Sequence, residues 1–194
     1  MKIVLASASE RRQALLRKMG YRFEVRPAEV CEDYPDGLPA EQVAELLAKR
    51  KAQAIAEQVS SAIVIGADTL VALGDEIIGK PRDREDARRI LRRLRNTAQR
   101  VITGLCVIDT ATGRTLTAHE TSIVRTAFVP DKAIDRYVES GLGDDKAGAY
   151  AVQETNDPFV DRVVGSFTNV VGLPTELLGQ LLKKFGVRPE SCSD

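Results

Sequence analysis

Residues 7–12, Ser-Ala-Ser-Glu-Arg-Arg, gather two hydroxyls and two guanidiniums within one short segment. They follow the apolar run Ile3-Val4-Leu5 and precede a helical spacing of Leu15, Leu16 and Met19 that stops at Gly20. A strand, a polar turn and a helix amino terminus in that order can hold an anion. The first helical turn offers unpaired N–H groups and the positive end of the helix dipole. Ser7 and Ser9 add hydroxyl donors, and Arg11 and Arg12 add charged forks suited to phosphate oxygens. A serine-capped helix with solvated arginines accounts for the same residues equally well. Spacing alone leaves the two readings level.

Four further positions carry chemistry. Asp68 follows the apolar run Ala62-Ile63-Val64-Ile65 in Gly66-Ala67-Asp68-Thr69; a carboxylate beyond the carboxyl end of a buried strand stands where open α/β sheets place catalytic groups. A turn-forming Asp is the plain alternative. Lys51 sits at the edge of an apolar helical stripe, four residues from both Leu47 and Ile55, and reaches either a buried anion or water. Arg50 has the same claim by spacing. Lys80, between Gly79 and Pro81, is on a constrained loop, and Glu32 lies in an acidic loop from Pro27 to Pro39. Glu32 could join Asp68 in holding Mg²⁺ or Mn²⁺, which prefer carboxylate and water oxygens; a solvated acidic loop is the plain alternative.

The rest of the composition narrows the chemistry. His119 is the only histidine, which argues against zinc sites and Ser–His or Cys–His catalysis. Cys31, Cys106 and Cys192 are far apart without C-x-x-C spacing, as expected in a reducing cytoplasm. The 28 Lys and Arg balance 28 Asp and Glu, so no global field draws the chain to nucleic acid or an anionic membrane. The arginines between Arg82 and Arg100 are interspersed with Asp83, Glu85 and Asp86 and read as a solvated face. No apolar run approaches the ~20 residues of a membrane helix, and no G-x-x-x-x-G-K-[ST] loop occurs.

These residues must be positioned by an alternation of short strands and helices. Strands are expected at Ile3–Leu5, Tyr21–Val25, Ala62–Ile65, Arg100–Asp109, Leu116–Phe128, and around 149–152 and 159–164. Helices are expected after Ser9, from Glu41 to about Gln58, after an Asp83 cap, after Pro130 and from Pro174. A hairpin falls at Gly74-Asp75. The pattern predicts one α/β domain over residues 1–190, a mixed sheet with flanking helices, and a tail at 191–194.

The chain resembles the Maf nucleotide pyrophosphatases. The resemblance rests on Leu5-Ala6-Ser7-Ala8-Ser9-Glu10-Arg11-Arg12, Leu47-Ala48-Lys49-Arg50-Lys51-Ala52, Gly66-Ala67-Asp68-Thr69, Gly79-Lys80-Pro81, Asp145-Lys146-Ala147-Gly148-Ala149-Tyr150 and Val171-Gly172-Leu173-Pro174, in that order. It implies a fold like the inosine triphosphate pyrophosphatases, with two lobes around a cleft. It also implies metal-dependent hydrolysis of a nucleoside triphosphate to the monophosphate and pyrophosphate. Asp68 takes the position of the general base and, with Glu32, of the metal ligands; Ser7, Arg12, Lys51 and Lys80 take those of the substrate-binding residues, joined by Ser9. Arg11, Thr69 and Gln153 match the branch resembling the dTTP/UTP pyrophosphatases rather than the 7-methyl-GTP branch. Arg, Thr and Gln suit hydrogen bonding to a pyrimidine edge. Glu10 stands where the family usually has Pro, and Glu154 where Gly is usual. The family also includes homodimers and has been linked to septum inhibition, so a nucleotide-binding division regulator without turnover is the rival reading.

Overall fold

Strands buried on both faces read as unbroken apolar runs, and two such strands make the centre of the sheet. They are β3 (Ala62–Leu73) and β5 (Ala98–Asp109), paired antiparallel from Ile63↔Asp109 to Ala72↔Arg100. The computed structural model describes residues 1–150, 152 and 159–190. On the far side of β3, β1 (Lys2–Leu5) runs parallel, followed by β2 (Glu24–Val25). β4 (Glu76–Ile78) folds back on the end of β3 through Gly74-Asp75, while β6 (Thr115–Thr126) and β7 (Val160–Val164) continue antiparallel beyond β5. The order is β2-β1-β3-β5-β6-β7 with β4 beside β3, a mixed sheet.

Alternation along β3 and β5 divides the helices between the two faces. α2 (Ala40–Ala56) lies on the face of Gly66 and Gly104. A side chain at either glycine would meet α2 backbone: an added Cβ would stand 2.2 Å from the Ala48 carbonyl oxygen at Gly66, and 2.2 Å from that of Ala44 at Gly104. Two glycines under a row of alanines therefore let α2 settle directly onto the strands. The opposite face carries two separate clusters. α1 (Glu10–Lys18) and α6 (Thr175–Lys184) pack Leu16, Leu178 and Leu182 on Ile63, Ile65 and Leu105. α3 (Arg84–Leu94) and α4 (Asp131–Ser140) pack Ile90, Leu94 and Ile134 on Val71, Val101 and Val124. Between these clusters lies a cleft, and each cluster is the core of one lobe.

The sheet differs from the sequence reading where that reading relied on apolar runs. β3 spans 12 residues instead of stopping at Ile65. Pairing with β5 carries it through Gly66, Asp68 and Thr69, since strand preference yields to context. Asp68 is thus in the middle of a strand, not beyond its end. The Tyr21–Val25 strand shortens to two residues, and the strand expected around 149–152 is replaced over Ala147–Ala149 by a tight helical turn. There Gly148 and Ala149 both have positive φ, 77° and 59°, which ends any extended run. A short α5 (Phe167–Val171), capped by Ser166, is an element the sequence reading did not contain. The expected tail, 191–194, lies outside the described residues.

Candidate active site

The pairing of β3 leaves a gap. β1 accompanies it only to Ile65 and β4 joins it only at Val71, so residues 66–70 have a free edge on that side among the described strands. Side chains from both faces of β3 meet around this edge: Asp68 from the α2 face and Thr69 from the cleft face. The cleft, about 750 Å³ in volume, is lined by Ser7–Arg12, Glu32, Lys51, Thr69, Lys80, Asp145–Ala147 and Val170–Gly172, among others. That is within the range of small-molecule sites.

Arg12 is the best-anchored cation in the cleft. Ser9 caps α1, its hydroxyl accepting from the Arg12 N–H at 3.4 Å, which sets the helix start. The Arg12 side chain then donates from Nε to the Gly172 carbonyl (2.8 Å), from Nη1 to Ser7 Oγ (3.2 Å) and from Nη2 to Thr69 Oγ1 (3.0 Å). Three of its five N–H groups are committed, leaving two for a ligand. Gly172 has φ +117°, and a Cβ there would come within 3.4 Å of Thr69 Oγ1 and 3.5 Å of Arg12 Nε, so glycine suits both the backbone and the fit. Burial pulls the guanidinium pKa below its ordinary value, opposed by the charge of Asp68. Ser7 Oγ accepts from both Arg12 and the Ser9 N–H (3.3 Å). With both lone pairs used, Ser7 faces a ligand only as a donor.

Lys51 joins the two carboxylates. Its Nζ lies 2.5 Å from Asp68 Oδ1 and 2.7 Å from Glu32 Oε1, and its side chain is only 14% exposed. Lys51 lies one turn beyond Ala48, where α2 rests on Gly66, and Asp68 is two residues along the same face of β3. Close packing at the glycine therefore sets this contact. Asp68 is 7% exposed and does not itself line the cleft; Lys51 stands between. The Lys51 hydrogen bond holds the Glu32 carboxyl below the usual range against partial burial, with help from the charges of Lys80 and Arg12. Arg50, equal to Lys51 by spacing, has a different task. It donates to the carbonyls of Cys31 (3.2 Å) and Asp33, pinning the loop that carries Glu32. The register of α2 against that loop separates the two residues, in the sense that the family resemblance also implies, with Lys51 at the substrate-binding position.

The remaining residues divide the cleft by chemistry. Arg11, Lys80 and the exposed Glu10 line its polar end. Asp145 is there too, its carboxyl held down chiefly by Lys146 (2.6 Å) and more weakly by Arg11. Beyond Thr69 the lining turns apolar, with Val71, Val101, Tyr150, Val152 and Val170. Thr69↔Thr103 and Val71↔Val101 are cross-strand neighbours on this face. Gln153 and Glu154 lie outside the described residues. The sequence reading missed Thr103 and Asn169, which have no motif signal because their partners are distant in the chain. Among the described residues no group of three or more His, Cys, Asp or Glu could hold a metal, leaving Glu32 and Asp68 as a two-carboxylate set. No helix among them is long and apolar enough to cross a membrane.

Comparison with known proteins covers nearly the whole chain. The family described as Maf-like protein matches residues 2–185. The dTTP/UTP pyrophosphatase of Desulforamulus reducens is 44% identical over 185 residues, covering 95% of this chain and 97% of that protein. The protein of the same name from Pelotomaculum thermopropionicum is 46% identical over 184 residues, with 95% and 96% covered. Among solved structures, a nucleoside-triphosphatase / dITP/XTP pyrophosphatase from Mycobacterium abscessus aligns over 95% of this chain and 94% of that one, at 13% identity and a TM-score of 0.41.

Proposed function

The chain belongs to the Maf-like protein family, and from that premise we propose that it hydrolyses dTTP and UTP to the monophosphate and pyrophosphate. The observation that carries this reading is its full-length similarity to proteins named dTTP/UTP pyrophosphatase, at 44% and 46% identity. The cleft geometry is consistent with it. A donor-rich end holding Ser7, Arg12, Lys51 and Lys80 receives the triphosphate, and the apolar end around Val71 and Val101 receives the base.

In this reading Asp68 takes a proton from water as the water oxygen bonds to the α-phosphorus. The bond from that phosphorus to the α,β-bridging oxygen breaks, and pyrophosphate leaves with the electron pair. The two uncommitted N–H groups of Arg12, the Ser7 hydroxyl and the Lys80 ammonium meet the charge spreading over the phosphate oxygens. Lys51, now shared between Glu32 and Asp68, keeps the two carboxylates converged on one point. Glu32 and Asp68 would hold Mg²⁺ or Mn²⁺ at the point that Lys51 Nζ now occupies, with Lys51 turned out toward the phosphates, since these ions take one or two carboxylates and complete their shell with water and phosphate. Such an ion would neutralise the departing pyrophosphate. The thiols of Cys31 and Cys106 are both free, which suits the cytoplasm as the compartment.

The test is pyrophosphate release over a panel of canonical and modified nucleoside triphosphates, with Asp68→Asn alongside. We expect turnover of dTTP and UTP that the variant loses while keeping its melting temperature. Preference for 7-methyl-GTP, or undiminished release by the variant, would overturn the reading.

A further inference from the structure

The hydrogen bonds below Thr69 run in one direction. Thr103 is fully buried, at 0% exposure, and cannot touch a nucleotide. Its Oγ1 lies 3.0 Å from the carbonyl oxygen of Asn169 in α5. A carbonyl only accepts, so the single hydroxyl hydrogen of Thr103 is spent there. Thr69 Oγ1 lies 3.0 Å from Thr103 Oγ1, and with the Thr103 hydrogen committed, Thr69 must be the donor in that contact. Thr69 in turn accepts from Arg12 Nη2 at 3.0 Å. The order is Arg12 N–H to Thr69, Thr69 O–H to Thr103, Thr103 O–H to the Asn169 carbonyl. One lone pair of Thr69 is left, and no hydrogen.

The far end of this chain is held rigidly. The Asn169 carbonyl also accepts from the Gly172 N–H (2.9 Å), filling its second lone pair. The Asn169 side-chain amide donates to the Val101 carbonyl and to Ser122 Oγ, both at 2.9 Å, tying α5 to β5 and β6. Reversing the chain would leave the buried Asn169 carbonyl with the Gly172 N–H as its one remaining donor, a loss that burial makes costly.

We propose that Thr103 is a positioning residue that fixes the Thr69 hydroxyl as a pure acceptor toward the cleft and thereby selects a base with a ring N–H. The inference rests on the proposed nucleotide pyrophosphatase activity. Thr69 stands between the Arg12 end of the cleft and the apolar floor of Val71 and Val101, where a base lying on that floor presents its edge. Uracil and thymine carry N3–H, a donor that Thr69 can accept from. Cytosine has an unprotonated N3, an acceptor, and two acceptors facing each other in a desolvated site repel. Ser7 and Thr69 are thus polarised oppositely: Ser7 donates at the phosphate end and Thr69 accepts at the base end.

The experiment compares kcat/KM for UTP and CTP, and for dTTP and dCTP, in the natural protein, Thr103→Val and Thr103→Ser, with melting temperatures for each. Valine cannot take the Thr69 hydrogen, so Thr69 is free to turn and donate to cytosine. We expect the natural protein to favour UTP over CTP, the Val variant to lose on the order of 10-fold of that preference, and Ser to restore it. A purely structural role would lower both rates together and leave their ratio unchanged, which would overturn the proposal. So would equal use of UTP and CTP by the natural protein. A second measurement needs no variant: 3-methyl-UTP, lacking the N3 hydrogen, should be turned over at least ~100-fold less well than UTP, and comparable turnover would overturn the proposal. Absence of pyrophosphate release from every nucleotide would instead sink the activity on which the inference rests.

Discussion

Gly66→Ala should both destabilise the protein and displace Lys51 from Asp68. The added Cβ would lie 2.2 Å from the Ala48 carbonyl oxygen, 2.7 Å from the Ala52 nitrogen and 2.9 Å from the Ala52 Cβ. All three belong to α2, and two are backbone atoms that cannot rotate away. Restoring ordinary contact requires α2 to lift by about 1 Å, an overpacking cost of roughly 1–3 kcal/mol. Opposing this, Gly66 is not among the glycines with positive φ, so alanine gains about 0.4–1 kcal/mol from a less flexible unfolded chain. Overpacking wins over most of that range. At about 2–4 °C per kcal/mol for a chain of this size, the melting temperature should fall by several degrees. Lys51 rides on the same helix, and its 2.5 Å contact with Asp68 would open by a similar displacement. A misplacement of ~1 Å can cost about 100-fold in rate. Differential scanning fluorimetry and pyrophosphate release read the two effects. Gly79→Ala is the stability control, since nothing lies within 4 Å of its added Cβ, and it should leave the melting temperature near that of the natural protein. A Gly66→Ala protein as stable and as active as the Gly79→Ala control would refute the role given to this packing.

Three further outcomes follow from the geometry. The Glu32 carboxyl is held below its usual range, chiefly by Lys51, so the stabilisation it contributes is present above the ordinary Glu pKa of about 4.3 and lost as pH falls through the lower folded value. Urea unfolding of the natural protein and Glu32→Gln should show a gap at neutral pH, below ~1 kcal/mol for a carboxylate this exposed, that closes in acid; a gap constant from pH 7 to 3 would contradict this. With the proposed metal held by Glu32 and Asp68, Arg50→Ala should release the 31–33 backbone and raise the divalent-ion concentration needed for half-maximal rate by roughly 10-fold, and an unchanged metal titration would count against the anchoring role. Burial pushes the Cys106 thiol up to about 12, so in a Cys192→Ser background iodoacetamide should label exposed Cys31 in the native protein and reach Cys106 only after unfolding, as mass spectrometry of labelled peptides would reveal.

Much of this protein was legible from local sequence because the signals involved are local. Apolar runs and helical spacing located β1, α1, α2, α3, α4 and α6, and the Ser9 and Asp83 caps marked helix starts that the structure also has. The candidate residues could be collected from ordered short motifs spread between positions 5 and 174. What tertiary structure alone decided is how they divide the labour. Arg50 and Lys51 are adjacent and equivalent by spacing, yet one pins a loop backbone and the other bridges two carboxylates. By its apolar run Asp68 lies beyond the end of a strand, yet it is mid-strand at an edge left unpaired among the described strands, because β1 stops at Ile65 and β4 begins opposite Val71. The direction of the Thr69 hydroxyl depends on Thr103 and on an Asn169 carbonyl a hundred residues from Thr69. Periodicity and capping act within a few residues of the chain. Strand gaps and hydrogen-bond direction exist only once distant segments are packed together and each donor has to find its acceptor.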